Sequence, residues 1–132
     1  MSDKGSAPTD AQAQRFEFLS PMLDSALSEM REFAKKKQDG IVSELKIRIV
    51  NRLLTQIKEI LANEESVTYL DLLSEEQLPQ NSDAVLVLGQ FRAAMNNFST
   101  RHHRTNDYSS TWITQEWIAE NGESEDEDDF DT

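Results

Sequence analysis

The chain has 132 residues, of which 37% are hydrophobic, with no cysteine and a net charge of −12. The length corresponds to about one domain, and the lack of cysteine excludes disulfides, thiolate zinc sites and a thiol nucleophile. No run approaches the roughly 18 uninterrupted apolar residues of a membrane helix, and MSDKGSAPTDAQAQ lacks the apolar segment of a signal peptide. We therefore expect a cytoplasmic protein without membrane contact.

The negative charge is concentrated at the C-terminus. Residues 120–132 contain eight acidic residues and no basic one, which leaves 17 acids and 13 bases in the rest of the chain. The main part of the chain is therefore close to neutral, and its low pI does not exclude a nucleic-acid-binding face.

The N-terminal region has too few apolar residues to order itself, so 1–14 is predicted to be disordered. A first helix is expected to start at Ser20-Pro21, because serine is a favoured N-cap and proline suits the first helical position. It should end before Asp39-Gly40. The three apolar residues before this cap either fold back as a staple or extend the helix upstream with a kink; they are Phe16, Phe18 and Leu19.

Two further long helices follow from apolar residues spaced three and four apart. The first covers 41–62, and the second begins at the Ser82-Asp83 cap and runs to about Arg101. Between them, VTYLDLLSEEQLPQ predicts one or two short helices. After the second, Ser110 or Thr111 is expected to cap another short helix.

These elements predict an all-α fold. We expect a small helical bundle over 15–120, made of three long and two to three short helices, with a disordered N-terminal tail over 1–14. A disordered acidic tail is predicted over 121–132 and is called the acidic tail below.

No catalytic or metal-binding pattern is evident in the sequence. Adjacent histidines on a helix point about 100° apart, so His102 and His103 are poorly placed to chelate one ion. No group that would orient a Ser–His pair is present, and no carboxylate pair is indicated by its spacing. We therefore predict a protein that is not an enzyme and has no cofactor or metal.

Basic residues allow one alternative, a helical nucleic-acid-binding subunit in which the acidic tail inhibits binding or mimics nucleic acid. The run RHHR can face water at a helix end or hold an anion. The residues expected to contact nucleic acid in this alternative are Lys46, Arg48, Arg52, Arg101, His102, His103 and Arg104.

The C-terminal tryptophans are candidates for a protein contact. On the predicted short helix, Trp112, Ile113 and Trp117 share one face, which either packs on the bundle or anchors another subunit.

The acidic tail contains a second candidate motif, ESEDEDDFDT, in which the partner-binding residues are expected to be Asp126, Asp128, Asp129 and Phe130. It resembles the acidic, phenylalanine-containing tails of single-stranded-DNA-binding proteins, which dock into basic pockets of partner enzymes. Here Phe130 is followed by Asp131-Thr132, so a pocket that reads a terminal carboxylate would fit poorly. Phosphorylation of Ser124 would strengthen the negative field.

The sequence thus favours a non-catalytic interaction protein, an accessory or regulatory subunit of a larger complex. Its partner is expected to present a basic surface to the C-terminal tryptophans and the acidic tail. The wide apolar stripe of the helix over 41–62 leaves a homo-oligomer open.

Overall fold

The computed structural model describes residues 7–122, and this part of the chain is a mostly helical bundle, as predicted. No helix in that range is both long and apolar enough to cross a membrane. The elements in chain order are α1 (Asp10–Lys36), α2 (Glu44–Ile60), a 3₁₀ helix (Glu65–Tyr69), α3 (Asn81–His102), β1 (His103–Thr105), β2 (Ser110–Trp112), α4 (Gln115–Trp117) and a π turn (Ile118–Gly122).

Helix α1 begins ten residues before the predicted start at Ser20. Thr9 and Gln12 form a capping box, in which each side chain accepts a hydrogen bond from the other residue's backbone N–H. Pro21 lies inside the helix, because burying Phe16 and Leu19 on the core offsets the hydrogen bond that proline cannot donate. Residues 10–14 of the predicted disordered N-terminal tail are therefore helical.

Helix α2 is shorter at both ends than the predicted range 41–62. The Ser43 hydroxyl caps it by accepting from the backbone of its third residue, at 3.2 Å. The preceding turn is bound to the start of α3, where Asn81 donates to the carbonyls of Gly40 and Lys37 at 2.7 and 2.8 Å. A Cβ on Gly40 would lie 3.0 Å from the Asn81 amide nitrogen, so the close approach requires glycine.

The core lies where α1 packs antiparallel against α3, with α2 completing the bundle. The rings of Phe16 and Phe98 stack with centroids 5.6 Å apart, and Asp24 pairs with Arg92 at 2.8 Å further along the same two helices. From α2, the fully buried side chains are Ile47, Leu54 and Ile57. This arrangement leaves the outer side of the α1–α2 pair uncovered in the described part of the chain.

The segment after α2 contains one short 3₁₀ helix and then irregular backbone, so a second short helix does not form there. The Asn51 side chain holds this backbone by accepting from the N–H of Leu73 and donating to its carbonyl, at 2.9 and 2.8 Å. Lys58 donates to the Leu70 carbonyl at 3.0 Å. Polar side chains of α2 thus satisfy backbone groups that a helix would have paired internally.

The prediction of a helix beginning at Ser110 or Thr111 is wrong, because these residues form β2 of a hairpin. His103 faces Trp112, and Thr105 faces Ser110, in the antiparallel register. Extended backbone places the Trp112 ring against Phe16 and Phe98, with centroids 5.0 and 5.8 Å away. The helical segment starts only afterwards, at α4.

We expect Asn51→Ala to lower the free energy of unfolding by about 1–3 kcal/mol, because two part-buried backbone groups of Leu73 lose their hydrogen bonds. Urea denaturation measures the change. The control is Asn97→Ala at an exposed position of α3, which should change stability by no more than about 0.5 kcal/mol. Equal effects of the two substitutions would contradict the bridging role of Asn51.

Candidate docking surface

An apolar groove runs along the outer side of the α1–α2 pair. Two adjoining depressions of about 180 and 260 Å³ share Ala26, Ile49 and Val50. We call this feature the α1–α2 groove and define it by Met22, Ala26, Phe33, Ile49, Val50 and Leu53. Buried Val50 and Leu53 form its floor, so the groove opens directly above the core.

Large apolar side chains stand exposed along both walls of the α1–α2 groove. On α1, Phe18 is 62% and Met22 46% exposed; on α2, Leu45 is 63% and Ile49 54% exposed. Each pair is spaced i, i+4, so its members share one face of their helix. Contiguous apolar surface of this kind is typical of a binding site, whereas single exposed apolar residues are ordinary.

The charges around the α1–α2 groove are mainly positive. Lys46 lies 3.6 Å from the centroid of the Phe33 ring at one end, which we call the far end. Arg15 donates to the Gln56 amide at the opposite end, which we call the near end. Arg52 is exposed on the same face of α2 as Leu45 and Ile49, and it has no ion-pair partner among residues 7–122.

The predicted anion patch RHHR is divided between two environments. Arg101 and His102 turn inward to the carboxylate of Glu64, at 2.6 and 3.0 Å. Arg104 donates to the carbonyls of Thr100 and Arg101 and so closes the C-terminus of α3. His102 is only 5% exposed, so this run is not the water-facing helix end that the sequence suggested.

His103 belongs to the hairpin instead. Its Nε2 lies 2.6 Å from the Ser110 hydroxyl, and its ring packs at 4.7 Å on Trp112. These residues lie at the C-terminal end of α3, whereas Lys46 and Arg48 lie near the start of α2, at the opposite end of the bundle. Arg48 is also paired with Glu44 at 3.3 Å. The structure therefore does not assemble the predicted basic residues into one patch.

Glu64 links the turn after α2 to the end of α3. It is 2% exposed and engages both carboxylate oxygens, one with Arg101 and one with His102. A buried carboxylate that is fully paired within the chain is well suited to holding two elements together. Within residues 7–122, no three histidine, aspartate or glutamate side chains are grouped as metal ligands.

The C-terminal tryptophans do not share one helix face. Trp112 lies in β2, where it packs on the bundle and donates its Nε1–H to Glu17 at 2.8 Å. Ile113 and Trp117 are half-buried, and Thr114 between them is buried and caps α4. Trp112 thus attaches the C-terminal segment to α1, while Asp126, Asp128, Asp129 and Phe130 of the acidic tail lie outside the described residues.

The outer face of α3 is uncharged between Asp83 and Arg92. Leu86 is 65% exposed there, and a Cβ placed on Gly89 would meet no atom within 4 Å. Gly89 therefore does not mark a close approach of another helix within the described chain. A shallow depression of about 270 Å³ lies beyond it, beside Ala93 and the 3₁₀ helix.

No protein-family model, curated protein or solved structure matches the chain. Inferences about its function therefore come from the geometry of the chain itself.

Sequence reasoning missed two features of this surface. Phe18 and Met22 follow helical spacing, but they are offset from the buried stripe of Phe16, Leu19 and Leu23, and this offset was the available signal. Glu64 gave no signal, because it lies in a polar turn and its partners are 37 and 38 residues away.

We expect Glu64→Ala to reduce the free energy of unfolding by about 2–3 kcal/mol, because His102 keeps its burial but loses its acceptor. Chemical denaturation measures the loss. Glu65→Ala, at the exposed neighbouring position, serves as the matched control and should change stability by no more than about 0.5 kcal/mol. A Glu64 variant as stable as this control would contradict the clamp.

Trp112→Ala should release the hairpin and the segment after it while the helices remain folded. Removing the ring eliminates its packing on Phe16 and its hydrogen bond to Glu17. Limited trypsin digestion should then cut at Arg104 several-fold faster. Tyr108→Ala, at the exposed tip of the same hairpin, is the control and should leave the rate unchanged; equal acceleration in both variants would contradict the attachment.

Proposed function

We propose that the protein is a non-catalytic interaction protein, an accessory or regulatory subunit that docks through the α1–α2 groove. The observation that carries this proposal is the exposure of four large apolar side chains on the two walls of one groove. Leaving them in water costs free energy that a partner recovers by covering them, at about 25 cal/mol per Å² of apolar surface.

The charge around the groove supports a partner segment of particular chemistry. Arg52 has no carboxylate partner in the described chain, and Arg15 has only a neutral amide as its observed partner. The fitting occupant is therefore an apolar segment with flanking carboxylates, such as an acidic amphipathic helix laid in the groove.

The acidic tail adds a second contact, with a basic surface of the same partner. Trp112 and Thr114 attach the preceding segment to α1, so the tail starts from a fixed point at one end of the bundle. Its seven carboxylates over 123–132 steer association with a basic partner through long-range attraction that salt weakens.

Affinity purification from the native cell with mass spectrometry tests the groove. We expect Ile49→Asp to lose the partners recovered with the unaltered chain, because it places an unpaired carboxylate in the apolar wall. Leu86→Asp is the matched control, an exposed leucine on the outer face of α3, and should retain them. Both variants should keep the melting temperature of the unaltered chain, since both positions face solvent.

Retention of every partner by Ile49→Asp would overturn the proposal. Binding to DNA and RNA at two salt concentrations, with and without residues 120–132, provides the second arm. Salt-dependent binding that emerges on removing these residues would support the nucleic-acid alternative instead.

A further inference from the structure

We propose that residues 123–132 of the acidic tail occupy the near end of the α1–α2 groove of the same chain and cover it until a partner displaces them. This inference rests on the proposed function, because it treats the groove as the docking surface. It adds the identity of the first occupant, a segment of this chain, and a means of regulating access.

The C-terminal segment is attached beside the start of α1. The Thr114 hydroxyl donates to Asp10 at 2.5 Å, and the backbone N–H of Gln115 donates to the Pro8 carbonyl at 2.8 Å. Glu116 accepts from the backbone N–H of Asp10 at 2.9 Å. The acidic tail therefore leaves the fold at the end of α1 that also carries Arg15.

Chain length separates the two ends of the groove. Eight residues lead from Gly122 to Phe130, and they span at most about 26 Å when extended. Measured along α1 from Asp10, Phe18 lies about 12 Å away, Met22 about 18 Å and Phe33 about 35 Å. Phe130 thus has the reach for the first two residues but not for the far end beside Lys46.

The path to the near end carries no opposing charge. The hairpin packs on the side of α1 that presents Asp10 and Glu17, so the tail has to cross the neighbouring exposed face. That face presents Gln14, Phe18 and Ser25, none of which is acidic. Glu17 is already bound to the indole N–H of Trp112, on the hairpin side.

The composition of residues 123–132 matches what the near end offers. Seven carboxylates surround one large apolar side chain, Phe130, which is flanked by Asp129 and Asp131. At the near end, Met22 and Leu53 form an apolar depression, and Arg52 follows Leu53 directly on α2. An aromatic ring in the depression places the adjacent carboxylates within range of the arginines.

A second copy of the chain suits this end less well. It would present the same face, on which three cations, Arg15, Lys46 and Arg52, outnumber the one lining carboxylate, Glu29. Like charges brought together at an interface are unfavourable, so an acidic occupant fits better.

Methionine methyl NMR provides a direct test on the full chain. Met22 lies at the near end, whereas Met30 and Met95 are buried and serve as internal controls. We expect truncation after Gly122 to shift the Met22 methyl signal and to leave those of Met30 and Met95 in place. Phe130→Leu should abolish the part of the shift that the aromatic ring causes.

Two further arms define the interaction. At about 1 M NaCl, where the Debye length is about 3 Å, the Met22 signal of the full chain should move toward that of the truncated chain. A synthetic peptide of residues 119–132 added to the truncated chain should restore the original signal, whereas the same peptide with Phe130→Ala should not.

The outcomes separate this inference from the proposed function. A Met22 signal that truncation leaves unchanged would overturn the inference, whatever partners the groove binds. A Met22 shift that depends on protein concentration, together with a doubled mass in solution, would make a second copy the occupant and would also overturn it. The NMR result requires no partner, so it stands even when Ile49→Asp retains every partner.

Discussion

The packing of α1 against α3 constrains every other element. Phe16, Leu23 and Leu27 of α1 are buried there, and Phe91 and Phe98 of α3 meet them. A 27-residue helix that is apolar on more than one face cannot bury all of its surface against two shorter helices. The second apolar stripe, with Phe18 and Met22, is therefore left at the surface. The α1–α2 groove follows from this excess.

Polar side chains complete the fold at the points where backbone pairing ends. Asn51 bridges both backbone groups of Leu73, and Asn81 holds the turn before α2. Glu64 joins the turn after α2 to the last residues of α3. Each of these side chains connects segments distant in sequence, so the irregular connections are held as firmly as their few hydrogen bonds allow.

Helical periodicity was sufficient to predict the three long helices, but local signals misplaced several boundaries. The serine and proline at 20–21 favour a helix start, yet the tertiary gain from burying Phe16 and Leu19 overrides that preference. The hairpin was missed because Trp112 reads as part of a helical face, and its extended conformation depends on Phe98, which is distant in sequence. The groove requires knowing which apolar residues α3 covers, and a single sequence does not contain that information.

The uncharged outer face of α3 affects how partners are observed. Helix α3 contains no lysine, while the described lysines are Lys35, Lys36, Lys37, Lys46 and Lys58. Amine-reactive cross-linkers therefore report proteins bound around α1 and α2 and are blind to any that settle on α3. Reagents directed at carboxylates would share this weakness, since Asp83 is the sole acid on that helix. Photoreactive amino acids placed at Leu86 or Gln90 would make that side visible.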